Sequence, residues 1–148
     1  MDSALKFIKR DYIYGVSSLG RELGLDVAED YRVGIYSADV AWLVCSSKDR
    51  CIPIALFEAL PSELVGNEVA EPFIARKVSS LRSAAPVFVV VDKPESAPKA
   101  LTELSNVTII SRDEVEKCRP LASSPLIKSV ISVLKRKAVS TSPANLHV

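Results

Sequence analysis

Thirty residues constrain this chain more than any others: Tyr31 to Leu60, YRVGIYSADVAWLVCSSKDRCIPIALFEAL. Two apolar runs, Val40–Cys45 and Ile52–Leu60, flank the polar stretch Ser46-Ser47-Lys48-Asp49-Arg50. Apolar runs around a short polar loop predict an antiparallel hairpin. Asp39 opens the first run and Glu58 lies near the end of the second, so a hairpin brings both acids to the same end. If paired positions sum to about 97, the two become neighbours on one face; at about 96 they point to opposite faces. Like charges set opposite each other on a sheet are unfavourable, and a buried carboxylate needs a partner. A divalent cation or a basic side chain would resolve the conflict.

The rest of the chain supplies the covering for such a ribbon. Leu5, Ile8, Tyr12, Val16, Leu19 and Leu23 recur at helical spacing, with Lys6, Lys9, Arg10, Arg21 and Glu22 on the polar face, and Gly24 is suited to close that helix. Leu25–Asp30 reads as a connector and Tyr31–Tyr36 as a first strand, with Gly34 a bulge candidate. After the hairpin, Pro72 fits a first helical turn, which predicts a helix from about Glu71 carrying Ile74, Val78 and Leu81. Val87–Val91 is an almost unbroken β-branched run, typical of a strand covered on both faces. Ala97–Leu104 repeats at helical spacing, Val107–Ile110 reads as another buried strand, and Ser111-x-x-Glu114 is a capping box. Ser124-Pro125 then opens a final helix with Leu126, Ile127, Val130, Ile131, Val133 and Leu134 on it. The predicted order is α-β-β-β-α-β-α-β-α-α. That is one α/β domain over residues 1–139, a mixed sheet flanked by helices, with a flexible tail over residues 140–148.

Composition narrows the function classes. The chain has 148 residues and a net charge of +1, which argues against a uniformly basic nucleic-acid binder but permits a local basic face. No apolar run is long enough for a membrane helix, and the charged N-terminus does not resemble a signal peptide, so no membrane partner and a cytoplasmic location are expected. The single histidine, His147, and the absence of Cys-x-x-Cys spacing leave little for a zinc site or a histidine-based hydrolase. No glycine-rich phosphate loop is present. Cys45 and Cys51 flank the hairpin turn. Cytosolic reduction favours two free thiols, whereas a disulfide would fit a hyperthermophile. Trp42 is expected to serve packing.

Ala38-Asp39-Val40-Ala41-Trp42 followed by Ile52-Pro53-Ile54-Ala55-Leu56-Phe57-Glu58 resembles the paired acidic segments of the restriction-endonuclease-like, or PD-(D/E)XK, nuclease superfamily. A helix bearing Arg76-Lys77 and a buried strand at Val87–Val91 follow in the family's order, so the resemblance covers roughly residues 3 to 117. It implies a restriction-endonuclease-like core in which Asp39 and Glu58 hold Mg²⁺ and phosphodiester bonds of DNA are hydrolysed. The family's lysine, two residues after the second acid, falls here on Leu60, which carries no charge and donates no hydrogen bond. A substitute would come from elsewhere: Lys77 or Arg76 on the following helix, or Lys48, which the hairpin puts at its far end. A first-helix acid often completes the family's site, a part open here to Glu22 or Glu29.

Three functions follow. The first is a Mg²⁺-dependent nuclease or nuclease-derived protein of archaeal or viral DNA processing, with Asp39, Glu58 and Lys77 catalytic. The second is a non-catalytic descendant that binds nucleic acid or assembles with protein. The third is an unrelated α/β interaction domain. Arg76, Lys77, Lys135 and Arg136 are the candidate nucleic-acid contacts, although such cations more often form a solvated face or complement a helix C-terminus. The wide apolar stripe of the last helix is either folded onto the sheet or a surface for a second copy or a protein partner.

Overall fold

The computed structural model describes residues 3–47 and 49–140. Helix α1 (Ser3–Glu22) is followed by strands β1 (Asp26–Val33), β2 (Tyr36–Ser47) and β3 (Arg50–Ala59). Helix α2 (Ala70–Leu81), strand β4 (Val87–Val91), helix α3 (Lys99–Thr102), strand β5 (Val107–Ser111), helix α4 (Arg112–Lys117) and helix α5 (Pro125–Ser140) complete the chain. The sheet runs β1-β2-β3-β4-β5, antiparallel through the first three strands and parallel from β3 onward. Parallel neighbours need a crossover; α2 and α3 lie in the two that this sheet requires.

Alternation along the strands sorts the apolar residues into two layers. Leu56, Leu60, Val87 and Val89 pack with Ile74, Val78 and Leu81 of α2. Val40, Phe57 and Val90 pack on the other side with Tyr12, Val16 and Leu19 of α1 and Val115 of α4. One mixed sheet between helices is thus the architecture.

Local chemistry sets the ends of the elements. Gly24 sits at φ +85°, a conformation open to glycine at little cost, and lets Leu25 N–H reach Gly20 O at 3.0 Å. Ser111 Oγ accepts from Glu114 N–H at 3.0 Å while Glu114 Oε1 accepts from Ser111 N–H at 3.2 Å, completing the capping box of α4.

Gly20 has a different task. A Cβ at this position would lie 2.7 Å from Trp42 Cδ1 and 2.9 Å from Val27 Cγ2, so glycine allows α1 to approach the sheet. Trp42 uses that approach to donate from Nε1 to Val16 O at 3.1 Å and packs its ring 4.6 Å from Phe57. Gly20→Ala is therefore expected to destabilise the fold by about 1–3 kcal/mol through overpacking. Urea unfolding reads this directly, and an unchanged midpoint would contradict the close approach.

Three expectations change. The first strand starts at Asp26, so the acidic connector Leu25–Asp30 is mostly strand: pairing from Asp26↔Leu43 onward holds it as an edge whose charges face solvent. Gly34, at φ +61°, belongs to the β1–β2 turn; no bulge forms there, and the left-handed strand residue is Asp30, at φ +51°. Cys45 and Cys51 are bridged, because the register sets them opposite each other with Cα atoms 4.0 Å apart. The free-thiol expectation is corrected accordingly.

The last helix is only half covered. Ile127 and Ile131 are half-buried, while Leu126, Val130, Val133 and Leu134 are exposed. Helix α5 extends to Ser140, one residue into the predicted tail; the remaining tail, 141–148, and Lys48 lie outside the described residues.

Candidate functional site

The β2–β3 register decides where the two acids go. Val40↔Phe57, Ala41↔Leu56 and Trp42↔Ala55 pair with a sum of 97, whereas Leu43↔Pro53 through Cys45↔Cys51 sum to 96. The shift is a bulge at Trp42/Leu43, beside Pro53, a residue without a ladder donor that strands tolerate at bulges. Both registers named by the sequence therefore occur, and the one at the acidic end brings Asp39 and Glu58 together.

Both carboxylates are removed from water, each side chain only 1% exposed. Lys9 of α1, 2% exposed, inserts its ammonium between them, 3.0 Å from Asp39 Oδ2 and 2.9 Å from Glu58 Oε2. Lys77 of α2 straddles the Glu58 carboxylate from the other layer. Its Nζ donates to Oε2 at 3.2 Å and makes an ion-pair contact with Oε1 at 2.9 Å, outside hydrogen-bond geometry. Ala59 N–H donates to Asp39 Oδ2 at 2.8 Å, while Asp39 Oδ1 receives no hydrogen bond. The cluster thus brings two acidic and two basic side chains together in one buried site.

Burial dominates its electrostatics. Loss of solvent, then the nearby charge of Asp39, push the Glu58 carboxyl up to about 7 against the pull of Lys9 and Lys77. For Lys9 burial works the other way, but Glu58 and then Asp39 outweigh it and raise the ammonium above its ordinary value. Charge pairs of this kind resist dissection: the ions are costly to bury, and removing one strands its partner.

Asp39, Glu58 and Lys77, predicted as neighbours in one site, do come together. Arg76 is exposed on the same helix as Lys77 without joining them. Lys135 donates to Gly24 O, next to the start of β1, and Arg136 is exposed beside it on α5. Neither acid offered as a third member reaches the cluster: Glu22 pairs with Arg119 at 2.9 Å, and Glu29 accepts from Ser17 at 3.3 Å. Lys9, expected on the polar face of α1, is instead buried, and sequence reasoning missed it as a member of the site. Its signal is positional, since Leu5, Lys9, Tyr12, Val16 and Leu19 share one helical stripe and a lysine there has no apolar reason to be inside.

The cluster forms the floor of a groove of about 950 Å³, reached by Lys9, Glu58 and Lys77 and rimmed by Ile35, Val69 and Phe73. Magnesium, which the resemblance implies, does not fit these residues as they are placed. It requires close oxygen ligands and usually keeps several waters. Here an ammonium already lies within hydrogen-bond distance of one oxygen of each acid. Among the described residues no group of three or more His, Cys, Asp or Glu converges, and no helix is long and apolar enough to cross a membrane. Comparison with protein-family models, with curated proteins and with solved structures finds no match for the chain.

Proposed function

We propose that this chain is a non-catalytic descendant of the restriction-endonuclease-like fold, acting as an assembly subunit that binds protein. The observation that carries the reading is the position of Lys9 Nζ, 3.0 and 2.9 Å from the two carboxylates. In a metal-dependent ancestor that place belongs to the shared cation. The element order, the pairing of β2 with β3 next to Asp39 and Glu58, and leucine at position 60 all support descent with loss of the hydrolytic site.

Protein is favoured over nucleic acid as the partner because two of the four cations that would follow a phosphate backbone are engaged within the chain. Lys77 is held by Glu58 and Lys135 by a main-chain carbonyl, and the chain as a whole carries only +1. Supercoiled plasmid incubated with Mg²⁺ or Mn²⁺ tests the reading. No cleavage, together with no salt-sensitive retardation of duplex or single-stranded DNA, is the expected result. Cleavage lost in both Asp39→Ala and Glu58→Ala would instead return the pair to phosphodiester hydrolysis. Salt-sensitive DNA binding without cleavage would make nucleic acid the partner.

A further inference from the structure

The groove above the ion cluster joins two kinds of surface. Its rim holds Ile35, Val69 and Phe73, which remain 84%, 81% and 46% exposed. Ile35 comes from the turn between β1 and β2, and Val69 and Phe73 from the start of α2. Its floor is reached by Lys9 and Lys77, and Arg32 of β1 adds a third cation to the lining. Each ammonium has three N–H donors; Lys9 uses two in hydrogen bonds and Lys77 one.

Cations outnumber acids around this space. Lys6 pairs with Asp30 on the groove wall at 3.5 Å, and Lys9 and Lys77 share Asp39 and Glu58. Arg32 is left over: its guanidinium has no ion pair or hydrogen bond among the described residues. One positive charge therefore stays uncompensated even with all three acids ionised, and the upward shift of Glu58 enlarges the excess. We infer that this groove binds a small amphiphilic carboxylate, its apolar body on Ile35, Val69 and Phe73 and its head on Arg32 and the unused ammonium donors.

Other ligand classes answer only part of the groove. A cation meets the positive excess. A hydrated inorganic anion leaves Ile35, Val69 and Phe73 in water. A neutral hydrocarbon covers charged donors that it cannot pair, which is costly. A carboxylate matches the planar fork of an arginine, and the volume of about 950 Å³ lies within the range of small-molecule sites. Such a site is additional to the protein-binding role and does not depend on it.

Isothermal titration calorimetry of the full chain with octanoate tests this, beside 1-octanol, octylammonium, octyl phosphate and inorganic phosphate. One-to-one binding of octanoate is expected, at least tenfold tighter than that of octanol or octylammonium. Val69→Asp should abolish it. Position 69 is the N-cap of α2, where aspartate is favoured, so the variant folds while its charge repels the ligand head and interrupts the apolar rim. Arg32→Gln, on an exposed edge strand, should weaken binding at least tenfold. A circular dichroism spectrum and thermal midpoint matching the wild type show that each variant remains folded. Equal affinity for the octyl compounds, binding of none of them, or undiminished octanoate binding in both variants overturns the inference. So does tighter binding of octyl phosphate or inorganic phosphate than of octanoate, or a sedimentation mass of two chains that reverts to one in Val69→Asp. No partner protein, metal or DNA enters the assay, so its outcome is separate from that of the plasmid test.

Discussion

Replacing Lys9 with methionine is expected to destabilise the protein by about 3–5 kcal/mol, the range for breaking a buried ion pair from one side. Methionine keeps much of the length and apolar stem but donates nothing. Asp39 would retain only the Ala59 N–H, and Glu58 only Lys77. Two carboxylates, each 1% exposed, would then face each other without the cation between them. Lys77→Met should cost less, about 1.5–3 kcal/mol as for a lost charged hydrogen bond, because Lys9 still bridges both acids. Urea unfolding at pH 8 checks the ranking, and equal losses in the two variants would contradict a bridging role for Lys9. Lowering the pH should soften the Lys9→Met defect, since protonation of Glu58 removes one of the opposed charges.

The same burial predicts a pH dependence of unusual sign. In the native protein Glu58 titrates at about 7, above its ordinary 4.5. Between those values the folded chain keeps a proton that the unfolded chain has released, so the contribution of Glu58 to stability falls as pH rises through this window. The full change is on the order of 3 kcal/mol, at 1.36 kcal/mol per unit. A paired surface carboxylate does the reverse, losing stability as pH falls. Lys9, raised above 10.5, contributes stability that is complete below that value and is lost as pH rises through its folded pKa. Subtracting the urea stability of Glu58→Gln from that of the wild type, from pH 4.5 to 8, isolates the effect. Parallel curves would show that Glu58 titrates normally.

Elements governed by neighbours in sequence were legible from the residues alone. Gly24 closes α1, Ser111 and Glu114 cap α4, and the turn between Cys45 and Cys51 follows from chemistry within a few positions. The convergence of Asp39 and Glu58 was legible as a question of register, and Pro53 marks where the register shifts. What depends on distant partners was not. Nothing local makes Asp26–Asp30 a strand; pairing with β2 does. Lys9 lies 30 and 49 positions from the acids it joins, so its role emerges only once α1 is laid across the sheet. The sequence did state the need for a cation or a basic side chain, and the fold supplies the basic side chain from its first helix.

Lys9 Nζ fills the space between Asp39 and Glu58, 3.0 and 2.9 Å from their oxygens. The thermal midpoint of the wild-type chain titrated with Mn²⁺, beside Glu58→Ala, tests whether that space can admit a divalent cation. Millimolar Mn²⁺ is expected to leave the wild-type midpoint unchanged, because binding would require a buried ammonium to leave two buried carboxylates. A Mn²⁺-dependent rise in the wild type that is absent from Glu58→Ala would contradict it.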